Sequence, residues 1–456
     1  MTRKKMITED HVGEVQQQYQ LGEAFAHQLD HQDPLRELRH QFNMPTTAEG
    51  NEEYYFCGNS LGLQPKLAQQ YLDEVLTNWA QRGVKGHFKG NYPWLPYHEF
   101  LTEQMASLVG AQPCEVVMMN SLTVNLHLMM VSFFNPTAER FKIVIEEHAF
   151  PSDHYAVISQ LAHHGISEAE GVQLLSPKPG EELLDEVDIL NLIESEGDKI
   201  ALILLPGVQY YTGQVLDIKV ITQHAHRKGI IVGVDLAHAA GNIELQLHDW
   251  NVDFACWCSY KYLNSGPGSV AGCFIHQRHV TNTQLKRFAG WWGHDKTSRF
   301  EMVNQFQPIP TAEGWQLSNP PILSLAAIRA SLDTFAMAGG IKPLREKSVK
   351  LTGYLAFLLA NELSGAISII TPKHPIRRGC QLSLKCHTQQ LTGKQLFEQL
   401  EAKGVTTDWR EPDVIRVAPV PLYNSFADVY QFVHILKAIM QGNANPSINH
   451  NLLVAK

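Results

Sequence analysis

Two residues of complementary chemistry follow apolar runs near the middle of the chain. Ile230-Ile231-Val232-Gly233-Val234 runs into Asp235, then Leu236-Ala237-His238, and Lys261 stands 26 positions after Asp235 in Cys258-Ser259-Tyr260-Lys261. A carboxylate at the end of a buried strand costs several kcal/mol unless a partner compensates it, or it caps the helix that follows. Position alone allows both. A lone lysine after a strand is ordinarily solvated, but this one is boxed between tyrosines and leads into Gly266-Pro267-Gly268, a loop that lets backbone approach a ligand. A lysine amine forms Schiff bases, and a carboxylate keeps a pyridinium nitrogen protonated. Pyridoxal phosphate chemistry requires both.

Such chemistry also needs an anion cradle and a ring stack. Asn120-Ser121-Leu122-Thr123 stands between a strand and a helix, where hydroxyls and free N–H groups suit an anion or an ordinary cap. Phe150-Pro151-Ser152-Asp153 follows another apolar run and offers an aromatic face, or a core residue.

The elements that must position these residues alternate. Helical patterns at 65–81, 96–108, 123–134, 152–164 and 216–228 are interleaved with apolar runs at 116–119, 143–145, 172–175, 200–205, 230–234 and 252–256. Continuous apolar strands between helices predict an α/β fold with a mostly parallel sheet covered on both faces, and ligands then bind at the carboxyl ends of the strands. The glycine-containing stretch before Cys273 also reads as a strand. After a helix near 324–338, a helix at 344–363, strands near 367–370 and 380–384, a helix at 392–403 and a last helix at 426–441 predict a second, smaller α/β domain. The expected division is an N-terminal segment 1–64 with a helix at about 9–29, a large domain 65–330 and a small domain 331–456. The N-terminal segment is assigned to the small domain, although its helix suits either.

Composition narrows the classes. Of 456 residues, 44% are hydrophobic and 18% charged, as in ordinary globular proteins, and the net charge of −9 lacks the positive field that nucleic acid or a polybasic membrane surface requires. The apolar runs fall short of a membrane span, and residues 7–18 are too polar for a secretory core, so a cytoplasmic protein is expected. Seven scattered cysteines read as reduced thiols, and the 22 histidines form no H-E-x-x-H helix, so no metal is expected.

Thr123, Phe150, Asp235, His238 and Lys261, in this order, resemble the fold-type I (aspartate aminotransferase fold) pyridoxal phosphate enzymes. The blocks 55–65, 120–126, 150–153, 210–214, 235–239, 254–264, 290–294, 318–321 and 415–419 resemble the kynureninase family more narrowly, over residues 50–440. The resemblance implies pyridoxal 5′-phosphate as cofactor, with Lys261 as its Schiff-base lysine and proton carrier and Asp235 on its pyridine nitrogen. It places His238 beside Asp235, in contact with the cofactor or supporting it. Phe150 would stack on the ring, with Pro151, Ser152 and Asp153 beside it, and Leu122 and Thr123 would hold the phosphate. Tyr260 is implied as a phosphate partner and general acid–base. Trp291 and Asn319 would reach the site from a neighbouring subunit, so an active homodimer is implied. Arg416 would take the substrate α-carboxylate, and His87, Ser318 and Asn319 would lie near the aryl end.

The implied reaction is hydrolytic Cβ–Cγ cleavage of L-kynurenine or its 3-hydroxy form to anthranilate or 3-hydroxyanthranilate plus L-alanine, in tryptophan degradation toward NAD or anthranilate. One departure is Pro206, where the family can have serine; proline offers neither hydroxyl nor N–H. The rivals are a cysteine desulfurase or aminotransferase on the same fold, and a silent scaffold protein. The first two belong to the same superfamily, but a desulfurase needs a nucleophilic cysteine on an exposed loop. A silent scaffold has no need of both Lys261 and Asp235.

Overall fold

The computed structural model describes residues 19–282, 284–387 and 391–442. Seven strands build the large sheet: β1 (Val116–Met118), β2 (Lys142–Glu146), β3 (Val172–Leu175), β4 (Ile200–Pro206), β5 (Ile231–Asp235), β6 (Phe254–Trp257) and β7 (Gly272–Ile275). They lie in the order β1-β7-β6-β5-β4-β2-β3, and β7 alone runs antiparallel to both its neighbours. The central strands are buried on both faces, which is why they read as unbroken apolar runs. Two apolar cores sandwich the sheet. One holds Val232, Val234, Ala255 and Trp257 and the other Leu202, Leu204, Phe254 and Cys256.

A four-stranded antiparallel sheet of β8 (Ile367–Ile369), β9 (Leu382–Cys386), β10 (Asp408–Arg410) and β11 (Val414–Val417) has its own core with the helices Ile341–Glu362 and Phe426–Met440. The helix Ile322–Met337 lies on the large core, beside Lys66–Arg82. Gly339 and Gly340, at φ 80° and 88°, then turn the chain by 75° into Ile341–Glu362. That second helix gives Leu344 to the large core and Leu351 to Leu359 to the small one, so it couples the two bodies.

The N-terminal stretch touches both bodies. The helix Glu23–Gln32 packs on Phe426–Met440, and Tyr54–Tyr55 pairs in parallel with Val405–Thr406, while Leu38, Phe42 and Leu63 enter the large core. Of the helix expected over 9–29, residues 9–18 lie outside the described ones; residues 19–22 are not helical, with Gly22 at φ 101°, and a helix runs from Glu23 to Gln32. The expected helix at 96–108 is a 3₁₀ turn, Tyr97–Leu101, followed by Thr102–Val109, and a further helix, Glu186–Glu196, precedes β4. Among the described residues, no single helix is long and apolar enough to cross a membrane.

Candidate active site

The carboxyl ends of β2, β4, β5 and β6 and two helix starts enclose a cavity of about 170 Å³. The helices Leu122–Phe133 and Pro151–His163 converge at their N-termini there. Their first-turn hydroxyls, Thr123 Oγ1 and Ser152 Oγ, meet at 2.6 Å. Asn120, at φ 52°, makes the tight entry into the first helix, and Pro151 fixes φ at the first position of the second. Unpaired N–H groups at two helix starts beside two hydroxyls form a cradle for a dianionic group. Leu122, Thr123, Phe150, Ser152 and Asp153 line the cavity; Pro151 sets the helix start without joining the wall.

Asp235 ends β5 and is buried. Its Oδ1 accepts the Ala237 N–H at 2.7 Å, so it both caps the turn and faces the cavity. Asp153 lies against it with no donor on Oδ1. Burial first, and then the neighbouring Asp235 and Glu146 carboxyls, push Asp153 well above the usual carboxylate range, with Lys261 opposing. A carboxyl raised in this way keeps its proton, and Asp235 beside it would be the residue to hold a ring nitrogen here.

Lys261 Nζ stands 3.0 Å from His238 Nε2 and 5.8 Å from the centre of the Phe150 ring. His238 is held neutral by burial and by the charges of Lys261, Arg416 and Arg410. Its Nε2 therefore accepts from the lysine, and its buried Nδ1–H has no partner among the described residues. Asp153 Oδ1 and His238 Nδ1 are buried polar atoms awaiting a ligand, and the donor set suits an aromatic base carrying a phosphate. Phe150 is 43% exposed and meets Tyr210 edge-to-face at 5.3 Å, so its other surface is free to stack. Tyr260 lines the same wall, and burial together with Cys258 holds its phenol well above the usual value, so it keeps its proton.

Arg416 stands behind this wall. It is fully buried on β11, donates to the Tyr210 carbonyl at 2.8 Å and pairs with Asp408, Nη2 to Oδ2 at 2.8 Å and Nε to Oδ1 at 3.3 Å. Asp408 opposes Arg416 directly in the β10–β11 ladder and also holds Arg410. Pro206 sits in the cavity wall at the end of β4, paired with Asp235 in the ladder, and the next residue bonds the same partner, Gly207 N–H to Asp235 O at 2.7 Å.

Besides Pro151 and Arg416, four expected residues do not reach the cavity of this chain. Trp291, Ser318 and Asn319 are exposed, and His87 is half-buried against Trp94, its Nδ1 on the Val84 carbonyl at 3.0 Å. Glu146, Gln209 and Asp408 belong around the site but were not singled out from the sequence. Glu146 carries the same signal that marked Asp235, a carboxylate closing a buried strand. Away from the cavity, Glu115, His248 and His276 lie together, but Glu115 already accepts from Gln112 N, Gln277 N and His248, which explains the cluster structurally. No cysteine lines the cavity, and burial raises the thiols of Cys57 and Cys380 to about 12, against a desulfurase nucleophile.

Solved structures with this architecture include a cysteine desulfurase from Thermococcus onnurineus NA1, at TM-score 0.70 and 17% identity over 86% of this chain and 95% of that one. Another is a C-DES mutant with glycine covalently linked to its PLP cofactor, at TM-score 0.69 and 17% identity over 87% and 98%. At such identity these likenesses show the shared fold, that of the fold-type I enzymes. A family model described as the kynureninase C-terminal domain matches residues 344–436. Curated relatives named kynureninase are 54% identical over 411 residues in Koribacter versatilis (90% of this chain, 96% of the relative) and 49% identical over 436 residues in Nematostella vectensis (91% and 93%). With half of its residues shared along nine-tenths of its length, the chain belongs to the kynureninase family.

Proposed function

We propose that the protein is a pyridoxal phosphate-dependent hydrolase that cleaves the Cβ–Cγ bond of L-kynurenine or 3-hydroxy-L-kynurenine, releasing L-alanine and anthranilate or 3-hydroxyanthranilate. The observation that carries this reading is the single cavity shared by Lys261, Asp235 and two helix N-termini. When bound, the cofactor supplies an electron sink for carbanions next to the amino nitrogen.

The chain's own residues do the rest. Thr123, Ser152 and the N–H groups from Leu122 onward hold the phosphate, and Phe150 covers one ring face. Asp235 holds the ring nitrogen, with Asp153 against it. Lys261, with neutral His238 at its Nζ to accept or return a proton, moves the proton at the substrate Cα. Tyr260 keeps its proton until needed and gives it as the γ-carbonyl takes up water. Arg416 presents a planar fork to the α-carboxylate, once Tyr210 or Asp408 yields one of its hydrogen bonds.

Trp291 and Asn319 are proposed to complete the site across a homodimer interface, with His87 and Ser318 near the aryl end of the substrate. The exposure of Trp291, Phe300, Met302 and Val303 on one segment supports a covered surface there. The domain division near 64 and 330, a cytoplasmic location and a role in tryptophan degradation complete the reading. His87 and Asn319 put polar groups near the aryl ring, which favours the hydroxylated substrate. A kcat/KM ratio near one, or one favouring kynurenine, would remove that preference.

The test mixes purified protein, pyridoxal phosphate and 3-hydroxykynurenine and follows substrate absorbance and alanine together. Equimolar alanine is expected; a yellow protein that makes none would move the substrate elsewhere. Asp235→Asn is expected to weaken cofactor binding by about 1.5–3 kcal/mol, the worth of a charge-assisted hydrogen bond. An unchanged cofactor titration would take Asp235 off the ring nitrogen. Sedimentation of a monomer that retains full turnover would exclude the shared site.

A further inference from the structure

Glu146 lies where two cavities meet. It closes β2, is 4% exposed, and lines both the Lys261 cavity and a second cavity of about 300 Å³ that continues between the two bodies. Tyr210 is the other residue common to both walls. The second cavity has room for several waters and is lined on its far side by Glu182, Lys385 and Glu411, with Lys385 ion-paired to Glu182. The one hydrogen bond that the Glu146 carboxylate accepts among the described residues is long, from Gln209 Nε2 at 3.3 Å. Among the described residues no cation pairs with it. Facing it from the neighbouring elements are Asp235 at the end of β5 and Asp153 on the helix Pro151–His163. Lys261 and His238 stand beyond those two acids in the same cavity, and His148, two residues along, touches the second cavity.

We propose that Glu146 is a positioning residue that works as an uncharged carboxylic acid at this wall, exchanging its proton with water in the second cavity and so setting the charge that the acid cluster presents to the cofactor ring. Burial, and then the nearby Asp235, push its carboxyl up to about 8, with the Gln209 bond opposing. Glu146 is therefore protonated at neutral pH. With Asp153 also pushed toward its protonated form, neither Glu146 nor Asp153 adds a negative charge beside Asp235 at neutral pH. Above about pH 8 the Glu146 proton passes to water and a second anion appears beside Asp235. That anion would make a proton on the bound cofactor harder to remove.

This inference rests on the cofactor assignment above, and the experiment separates the two. Wild-type protein and Glu146→Gln are loaded with pyridoxal phosphate, and the visible absorbance of each is titrated from about pH 6 to about pH 10. Glutamine keeps the shape and removes the ionisation. The variant is expected to load normally and, over the range above about pH 8 where Glu146 becomes charged in wild type, to lose its proton-dependent band at a pH lower by about one unit, in a sharper transition. Its KM at neutral pH should stay within about twofold of wild type, while kcat should fall earlier as pH rises. A band that titrates at the same pH in both proteins overturns the role of Glu146. A wild-type protein that takes up no pyridoxal phosphate overturns the cofactor reading instead. If Glu146→Gln does not fold, Glu146→Asp carries the test, because a carboxyl drawn back by one methylene should shift the band part of the way. An unshifted band in that variant overturns the proposal equally.

Discussion

Lys261→Ala is expected to lower turnover by at least about 10³-fold, the upper range for removing a group that transfers a proton in the rate-limiting chemistry, and to abolish the lysine-dependent visible absorbance. The geometry makes this a clean experiment. The partner of Nζ is a histidine already held neutral, so its removal strands no buried charge and costs about 1 kcal/mol of stability for the lost hydrogen bond. Thermal unfolding should therefore be nearly unchanged while alanine release disappears. Full turnover in the variant would take Lys261 out of the mechanism. A large loss of stability would mean that the variant reports on folding.

The second large effect belongs to Asp408, which the sequence did not mark. Arg416 has no exposed surface, and its fork is held by the Asp408 carboxylate and the Tyr210 carbonyl. Asp408→Ala leaves a buried guanidinium with one carbonyl, and removing one partner of a buried pair costs about 3–5 kcal/mol. The double variant Asp408→Leu with Arg416→Met removes both charges. It should recover most of that stability, because apolar replacement of a buried pair is often neutral, while Arg410, with about a third of its side chain exposed, turns to water. Turnover should not recover, because the fork for the α-carboxylate is gone. Unfolding midpoints and kcat/KM for the three proteins separate the roles. Recovery of both stability and turnover in the double variant would show that Arg416 serves the fold alone.

The contrast between Asp235 and Asp408 shows what each level of description decides. Asp235 and Lys261 were legible because burial on both faces makes parallel strands continuous apolar runs, so a charged residue at the end of a run stands out. Thr123 and Phe150 were legible for a related reason, since each closes a strand-to-helix turn where N–H groups are free. The mostly parallel sheet followed from the same alternation. The reversed direction of β7 did not, because an apolar run has the same composition in either direction and only its pairing with β1 and β6 reveals the sense. Glu146 escaped because it runs straight into Glu147 and His148, so that a strand end looks like the start of a polar loop.

Asp408 lies in a short antiparallel sheet with no apolar run before it, and its importance comes from standing opposite Arg416 in the register. The amino-acid sequence alone thus determined the layered α/β architecture and marked the candidate residues at the ends of its central strands, because burial writes itself into composition. Tertiary structure alone decided which charges share a buried environment. Coulomb energy and desolvation depend on distances between strands and across cavities, and neither distance is recorded in the order of the residues.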